Sequence, residues 1–298
     1  MNKPNLFIAG FPKCGSSALH KMISQHSEIY GESFKETQTY TLDRKYRDRF
    51  NPSFKFSYPN LYSSAKGEKY LLDSSTSYSV NLKAIRRINK DSPQAKFIYV
   101  VRDPLDRLIS HYRWMASLGF VEKRFQDEIM SDLKYQYNDQ VQYWGNYKNY
   151  VYHGSYGFHL ENLFSVVDRS RVYIVNYKSL KDNYLDVVKG IFTFLDLEQE
   201  SVTQVISNST KKSFSPKQRS IVDRLKYRAS RLKAQIKSQP VSPKIKRPLK
   251  DVSSINLDET FFLKDILTKE ISKCESLGIS TESWANTRAV ASGSFGIV

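Results

Sequence analysis

The sequence predicts an α/β fold, a three-layer sandwich with a central parallel sheet. Three observations point there. Short apolar segments, most of them rich in β-branched or aromatic residues, recur along the chain. Stretches with helical spacing lie between them, and strands alternating with helices give a parallel sheet covered on both faces. The first apolar segment runs straight into a turn with two glycines and then a helix, the layout of an anion-binding loop.

Taken in order, the strands are expected at 5–9 (NLFIA), 70–73 (YLLD), 97–101 (FIYVV) and 172–175 (VYIV). After the first, Ser16 to Gln25 reads as a helix, with Ala18, Leu19, Met22 and Ile23 on one face. The stretch 28–68 is less regular, and such loops often carry function in α/β folds. Val80 to Ile88 reads as a helix, and Pro104 to Ala116 opens with proline in its first turn. Tyr156 to Val167 and Tyr184 to Leu195 are amphipathic. Residues 216–238 look helical before Pro240, Pro243 and Pro248 break the chain, and Leu257 to Leu277 closes it as a helix. The expected organisation is one domain over 1–298, with a basic helical and loop insertion at about 208–253.

The composition narrows the classes. With 40% apolar and 13% aromatic residues, 298 residues can bury a sizeable core. Apolar runs are too short to span a bilayer, and no cleavage site follows one near the N-terminus, so a soluble cytoplasmic protein is expected. Cys14 and Cys274 are the only cysteines, and 5 histidines show no paired motif, which disfavours a disulfide framework or a zinc site. The net charge of +16 is uneven: residues 211–250 hold fourteen Lys or Arg against one acid, Asp223. Two readings of that segment stay open, an anionic partner or a solvated helix face beside a loop.

The loop itself, "LFIAGFPKCGSSALHKMI" at 6–23, carries the chemistry. Free backbone N–H groups and the helix dipole favour an anion there. Gly10 and Gly15 permit the tight path, Lys13 adds a charge, and Ser16 and Ser17 add donors. A Walker A loop places lysine after its second glycine, whereas Lys13 precedes Gly15. The third strand runs into Arg102 rather than an acid that could hold magnesium, so a phosphate less charged than a triphosphate fits better. A second motif, "FIYVVRDPLDRLISHY" at 97–112, places Arg107, Ser110 and Tyr112 at helical spacing after Arg102. Arg102 and Ser110 can converge on a second phosphate, which the planar fork of arginine suits.

The pair of motifs resembles the signature of the PAPS-dependent sulfotransferases, and is closest to their carbohydrate-type and bacterial branch. "PKCGSS" is similar to the 5′-phosphosulfate loop P-K-x-G-[ST]-[ST], and "RDPLDRLISHY" to the 3′-phosphate motif R-[DN]-P-x-x-R-x-x-S-x-Y. The resemblance implies a P-loop-like phosphosulfate-binding loop, 3′-phosphoadenosine 5′-phosphosulfate (PAPS) as donor, the bisphosphate PAP as product and no required metal. It implies that Lys13, Cys14, Gly15, Ser16, Ser17 and Ala18 form the 5′ site and that Arg102 and Ser110 hold the 3′-phosphate. Weaker likeness extends to "SQHSEIYGESFKETQTY", "GSYGFHLENLF", "YIVNYKSL" and "ESLGISTESW", and to "ISNSTKKSFSPKQR", a basic cofactor-covering segment that adds Lys211 and Lys212.

Sulfuryl transfer develops negative charge on the leaving phosphate oxygen, and Lys13 is the cation expected to stabilise it. By the same resemblance Glu36 is the base for the acceptor hydroxyl, while His20 and His111 read as packing. "LLDSSTSY" departs from the E-K-[ST]-P-x-Y of some heparan-type enzymes, because Ser74 stands in the lysine position. Ser75 and Tyr78 are candidate site-lining residues, and Asp73 is as readily structural. The expected acceptor is a sugar or glycan, including anionic ones, with no nucleic acid and with peripheral membrane contact through the basic segment. Alternatives are a small metabolite or lipid acceptor, or a nucleotide-binding module without catalysis.

Overall fold

The computed structural model describes residues 3–31, 35–41, 61–117, 121, 123–134, 149–205 and 255–294. Outside them lie all of the basic insertion expected at 208–253, with Lys211, Lys212 and the 216–238 helix, and much of the stretch 28–68. Two compact units divide the chain: Met1–Leu108 with Val151–Ser207 and Asn256–Val298, and Ile109–Tyr150 with Asn208–Ile255.

The first unit is built on a five-stranded sheet, counted among the described residues: β1 Leu6–Gly10, β2 Ile29–Gly31, β3 Tyr70–Asp73, β4 Lys96–Val101 and β5 Val172–Asn176. Its order is β2-β3-β1-β4-β5, and every pairing is parallel. All five residues of β1 are fully shielded from solvent, the pattern of a central strand covered on both faces. The four expected strands are present. β2 adds a short edge strand that a three-residue sequence, IYG, does not announce.

The helices are α1 Ser16–Ile23, α2 Leu82–Asp91, α3 Pro104–Ser117, α4 Phe125–Leu133, α5 Tyr156–Phe164, α6 Tyr177–Asp182, α7 Tyr184–Leu195, α8 Lys264–Ser276 and α9 Ala285–Ser292. Helix α2 begins later than the apolar spacing predicts. A 3₁₀ turn, Thr76–Val80, comes first, and the Asn81 side chain then caps the helix by accepting from the Ala84 N–H at 2.9 Å. The closing segment also divides, into a 3₁₀ turn at Leu257–Leu263 and then α8, and α9 follows. At the foot of the sheet the carbonyls ending α7 are met by side chains: Lys96 Nζ donates to Phe194 at 2.6 Å and Tyr70 Oη to Leu195 at 2.8 Å. Among the described residues no helix is long and apolar enough to cross a membrane.

In the second unit, Tyr112 of α3 stands edge-on to Phe125 of α4 with centroids 5.3 Å apart. Its hydroxyl donates to the Lys123 carbonyl at 3.0 Å. The Tyr150 backbone N–H donates to Asp132 at 2.7 Å, and its hydroxyl to Glu128 at 3.2 Å.

In the strand order, the chain leaves β1 toward β2 on one side and leaves β4 toward β5 on the other. Neighbouring strands that depart in opposite directions open a crevice at their carboxyl ends, where open α/β sheets bind ligands. The loop 11–15 and the residues from Arg102 onward emerge at this crevice.

Candidate active site

Two residues of the β1–α1 loop adopt the left-handed region, Lys13 at φ 71° and Gly15 at φ 87°. Glycine takes this conformation without cost, but a lysine there costs roughly 1–2 kcal/mol. Gly15 has a second reason to lack a side chain: a Cβ would stand 2.9 Å from Cε2 of Tyr177. Gly10 is likewise closed against Ser79, whose Cβ lies 2.4 Å from where its own would be. The turn therefore runs flush against the 3₁₀ turn and the start of α6.

Gly15 is the N-cap of α1 and carries no capping side chain. Its carbonyl accepts from the N–H groups of Ala18, at 3.0 Å, and Leu19, at 3.2 Å. The N–H groups that open the helix, at Ser16 and Ser17, have no intrahelical acceptor and face the helix's positive end. Ser16 is buried and Ser17 half-buried. Cys14 turns inward, and its Sγ lies 3.4 Å from the Tyr156 hydroxyl, so its side chain serves the loop rather than the crevice.

Lys13 is half-buried, and its pKa is lowered to about 8. Burial is the main cause, followed by the positive charge of Arg102; the neighbouring Cys14 opposes them and Arg107 adds to them. Three cationic side chains thus gather around one loop, an arrangement that favours bound anionic groups.

Arg102, just past β4, spans the crevice. Its Nη1 donates to the Lys13 carbonyl at 3.4 Å, its Nη2 stands 3.7 Å from Asp106, and its guanidinium lies over the Tyr177 ring at 4.8 Å. The Arg102 Nε is buried and has no hydrogen-bond partner among the described residues. Leaving such a donor unsatisfied is costly, on the order of 1–3 kcal/mol or more for a charged group, so the site fits an anion that accepts from it.

Asp103 fixes the turn that presents Arg102. Its Oδ1 accepts from the N–H groups of Leu105 at 3.0 Å and Asp106 at 3.1 Å, capping α3. Thr287 of α9 joins the same carboxylate twice, by its hydroxyl at 2.6 Å and its N–H at 3.0 Å. Burial, and then Asp106, raise the Asp103 pKa against these bonds. Arg107 is fully buried, with Nε 3.1 Å from where a Cβ of Gly154 would stand. Ser110 is half-buried on α3 within the second unit.

Glu36 sits past the carboxyl end of β3. Its backbone N–H donates to the Ser74 carbonyl at 2.9 Å, and it too has a left-handed backbone, φ 65°. Its carboxylate accepts from the Thr76 N–H at 2.9 Å and from the Thr76 hydroxyl at 3.1 Å, and it pairs with Lys35. About a third of its side chain remains exposed, 33%. Lys13 and Glu36 are thus non-glycine residues held in a sparsely populated conformation at the same edge of the sheet, a feature that clusters at functional sites.

The neighbouring polar residues have structural work. Asp73 is buried and accepts from the hydroxyls of Thr37, Ser75 and Tyr78 at 2.8, 2.9 and 2.9 Å. This ties the Glu36 loop to the end of β3. His20 is buried with Nδ1 2.7 Å from Ser74 Oγ. His111 packs edge-on to Tyr150 with centroids 4.8 Å apart. Lys211 and Lys212 lie outside the described residues.

Sequence reasoning missed Tyr177, Thr76, Tyr156 and Thr287. Tyr177 carried a signal, since it lies two residues past an expected strand, at the end where ligands bind. Thr287 carried none.

Residues 3–240 match the family described as Sulfotransferase domain. Carbohydrate sulfotransferase 15 of Homo sapiens is 23% identical over 247 residues, 65% of this chain and 44% of the relative. The Mus musculus protein of that name is 22% identical over the same extents. The chain thus spans less than half the length of the curated relatives it matches. Among solved structures, a sulfotransferase from Alicyclobacillus acidocaldarius superposes with a TM-score of 0.69 at 18% identity, over 96% of this chain and 100% of that one. A mouse sulfotransferase complexed with PAP superposes with a TM-score of 0.51 at 12% identity, over 98% of this chain and 89% of that one. Both likenesses are likenesses of fold.

Proposed function

Because this chain belongs to the sulfotransferase domain family, we propose that it transfers a sulfuryl group from PAPS to a hydroxyl of a carbohydrate acceptor. The observation that carries the donor half is Arg102, which links the loop after β1 to the end of β4 and keeps a buried Nε with no hydrogen-bond partner among the described residues. A donor with two separate phosphates matches two adjacent anion-binding elements. The PAP held by the mouse relative supports the same choice. The carbohydrate half rests on the named activity of the curated relatives.

The donor supplies an activated sulfuryl group on a phosphate leaving group; the chain supplies placement and charge. The N–H groups of Lys13 and Gly15, with those and the hydroxyls of Ser16 and Ser17, hold the 5′ end, while Cys14 and Ala18, assigned there by resemblance, shape the loop, their N–H groups donating to the Phe11 and Gly15 carbonyls. Arg102 holds the 3′-phosphate; Ser110, Lys211 and Lys212 are assigned to that phosphate by resemblance alone. As the acceptor oxygen bonds to sulfur, the bond from sulfur to the phosphate oxygen breaks and that oxygen keeps the electron pair. Lys13 offsets the charge growing there. The Glu36 carboxylate, held by the Thr76 N–H, takes the proton of the acceptor hydroxyl. Among the described residues no group of His, Cys, Asp or Glu could hold a metal ion.

The test is sulfate incorporation from labelled PAPS into a panel of neutral and anionic oligosaccharides, small phenols and lipid alcohols. Label in oligosaccharides is the expected result. Label confined to small molecules or lipids overturns the carbohydrate half. No label in any acceptor, with the bisphosphate still bound, leaves a nucleotide-binding module without catalysis.

A further inference from the structure

We infer that Tyr156 is a positioning residue for the donor site, holding the Lys13–Gly15 turn in register with Arg102 through the thiol of Cys14. The inference rests on the donor reading of this site and assigns a role that the two phosphate motifs do not contain.

The turn needs an external hold. Lys13 and Gly15 are both left-handed, so the path between them is not one that the intervening sequence prefers. Cys14 is the residue between them, and its side chain is the one in the turn that points into the core. Its Sγ meets the Tyr156 Oη at 3.4 Å. Arg102 reaches the same turn from the end of β4, its Nη1 donating to the Lys13 carbonyl at 3.4 Å, so the turn that Tyr156 holds is also the one that Arg102 contacts. Burial pushes both the phenol and the thiol upward in pKa, and they meet as neutral groups. The link is therefore geometric and stays constant across the working pH range.

Tyr156 is itself fixed from behind. Its ring is fully buried, 4.6 Å from the Phe11 ring and 5.8 Å from Trp284. It opens α5, and the next N–H, that of Gly157, donates to buried Glu270 of α8 at 2.9 Å. Gly157 lets α8 come this close, since a Cβ there would stand 2.5 Å from Cγ of Lys273. The hydroxyl thus projects from a fixed point onto the middle of the anion-binding turn. Trp284 and Glu270 lie beyond the residues that match the family, 3–240, yet they set this point.

The test is a double-mutant cycle on Tyr156→Phe and Cys14→Ala, with Val188→Ala, a buried residue of α7, as a packing control. Calorimetry gives the Kd for adenosine 3′,5′-bisphosphate and thermal melts give stability. Losing one buried hydrogen bond predicts a five- to tenfold rise in Kd for Tyr156→Phe, about 1 kcal/mol. The same change on the Cys14→Ala background should add less than about twofold, because the two act through one contact. Val188→Ala should lower the melting temperature with Kd unchanged. A Tyr156→Phe protein that melts lower but binds like wild type, or additive effects of the two substitutions, overturns the positioning role. Failure of the wild type to prefer the bisphosphate over AMP overturns the donor reading itself, and this inference with it.

Discussion

At the scale of single residues, Lys13 combines two costs that only a function offsets: a left-handed backbone and a half-buried ammonium beside Arg102. Lys13→Ala should lower turnover by about a hundredfold or more while changing donor affinity less, because its help grows as the leaving oxygen gains charge. Steady-state kinetics at saturating donor check this, and near-normal turnover would reject the role. The lowered pKa adds a pH signature. Lysine is cationic below its pKa, so kcat/KM for the donor should fall as pH rises through about 8. Glu36→Gln keeps an acceptor for the Thr76 N–H but removes the base. It should leave bisphosphate binding intact and cut transfer to hydroxyl acceptors by about a hundredfold or more; retained activity across pH makes Glu36 a bystander. Lys13 and Arg102 were legible because their chemistry sits in short motifs. Glu36 came only from resemblance, since a loop glutamate leaves no local pattern, and Thr76, which orients it, lies forty residues away in sequence.

Elements fix these residues from a distance. Helix α9 holds the Asp103 turn through Thr287, whose hydroxyl and N–H both reach the carboxylate. Thr287→Val keeps the shape and leaves buried Asp103 short of a donor, which should cost about 1–3 kcal/mol in denaturant unfolding. An unchanged midpoint would show that α9 is not a buttress. Helix α8 offers a pH test. Burial raises the Glu270 pKa to about 7, against the N–H groups of Gly157 and Tyr156 that favour the anion. A carboxyl raised on folding binds its proton more tightly in the native state. Its stabilising contribution is full below about 4.5 and is lost as pH rises through about 7. Glu270→Gln should flatten the dependence of stability on pH across that window, and a slope equal to wild type would contradict the assignment. The strands and most helices could be read ahead because apolar runs and helical spacing are local signals. β2 could not, because three residues at a sheet edge carry no period. Nor could α9, where Thr287 and Val290 are buried but a chain of small and polar residues hides the apolar face.

Over the whole molecule, a parallel sheet of order β2-β3-β1-β4-β5 turns two separate sequence motifs into one crevice. The motifs were visible as sequence, and their adjacency followed from alternating strands and helices. The supports from Tyr156, Tyr177 and Thr287 were not, because pairings across more than seventy residues depend on topology rather than on neighbours in the chain. The central claim is that the crevice holds a nucleotide with two separate phosphates, one at the α1 N-terminus and one at Arg102. Calorimetry of the full chain in chelator, comparing adenosine 3′,5′-bisphosphate with AMP, tests it most directly. The bisphosphate should bind at least tenfold more tightly, about 1.4 kcal/mol, and Arg102→Ala should erase most of that difference. Equal affinity for the two nucleotides, or a preference that survives the loss of Arg102, would contradict it.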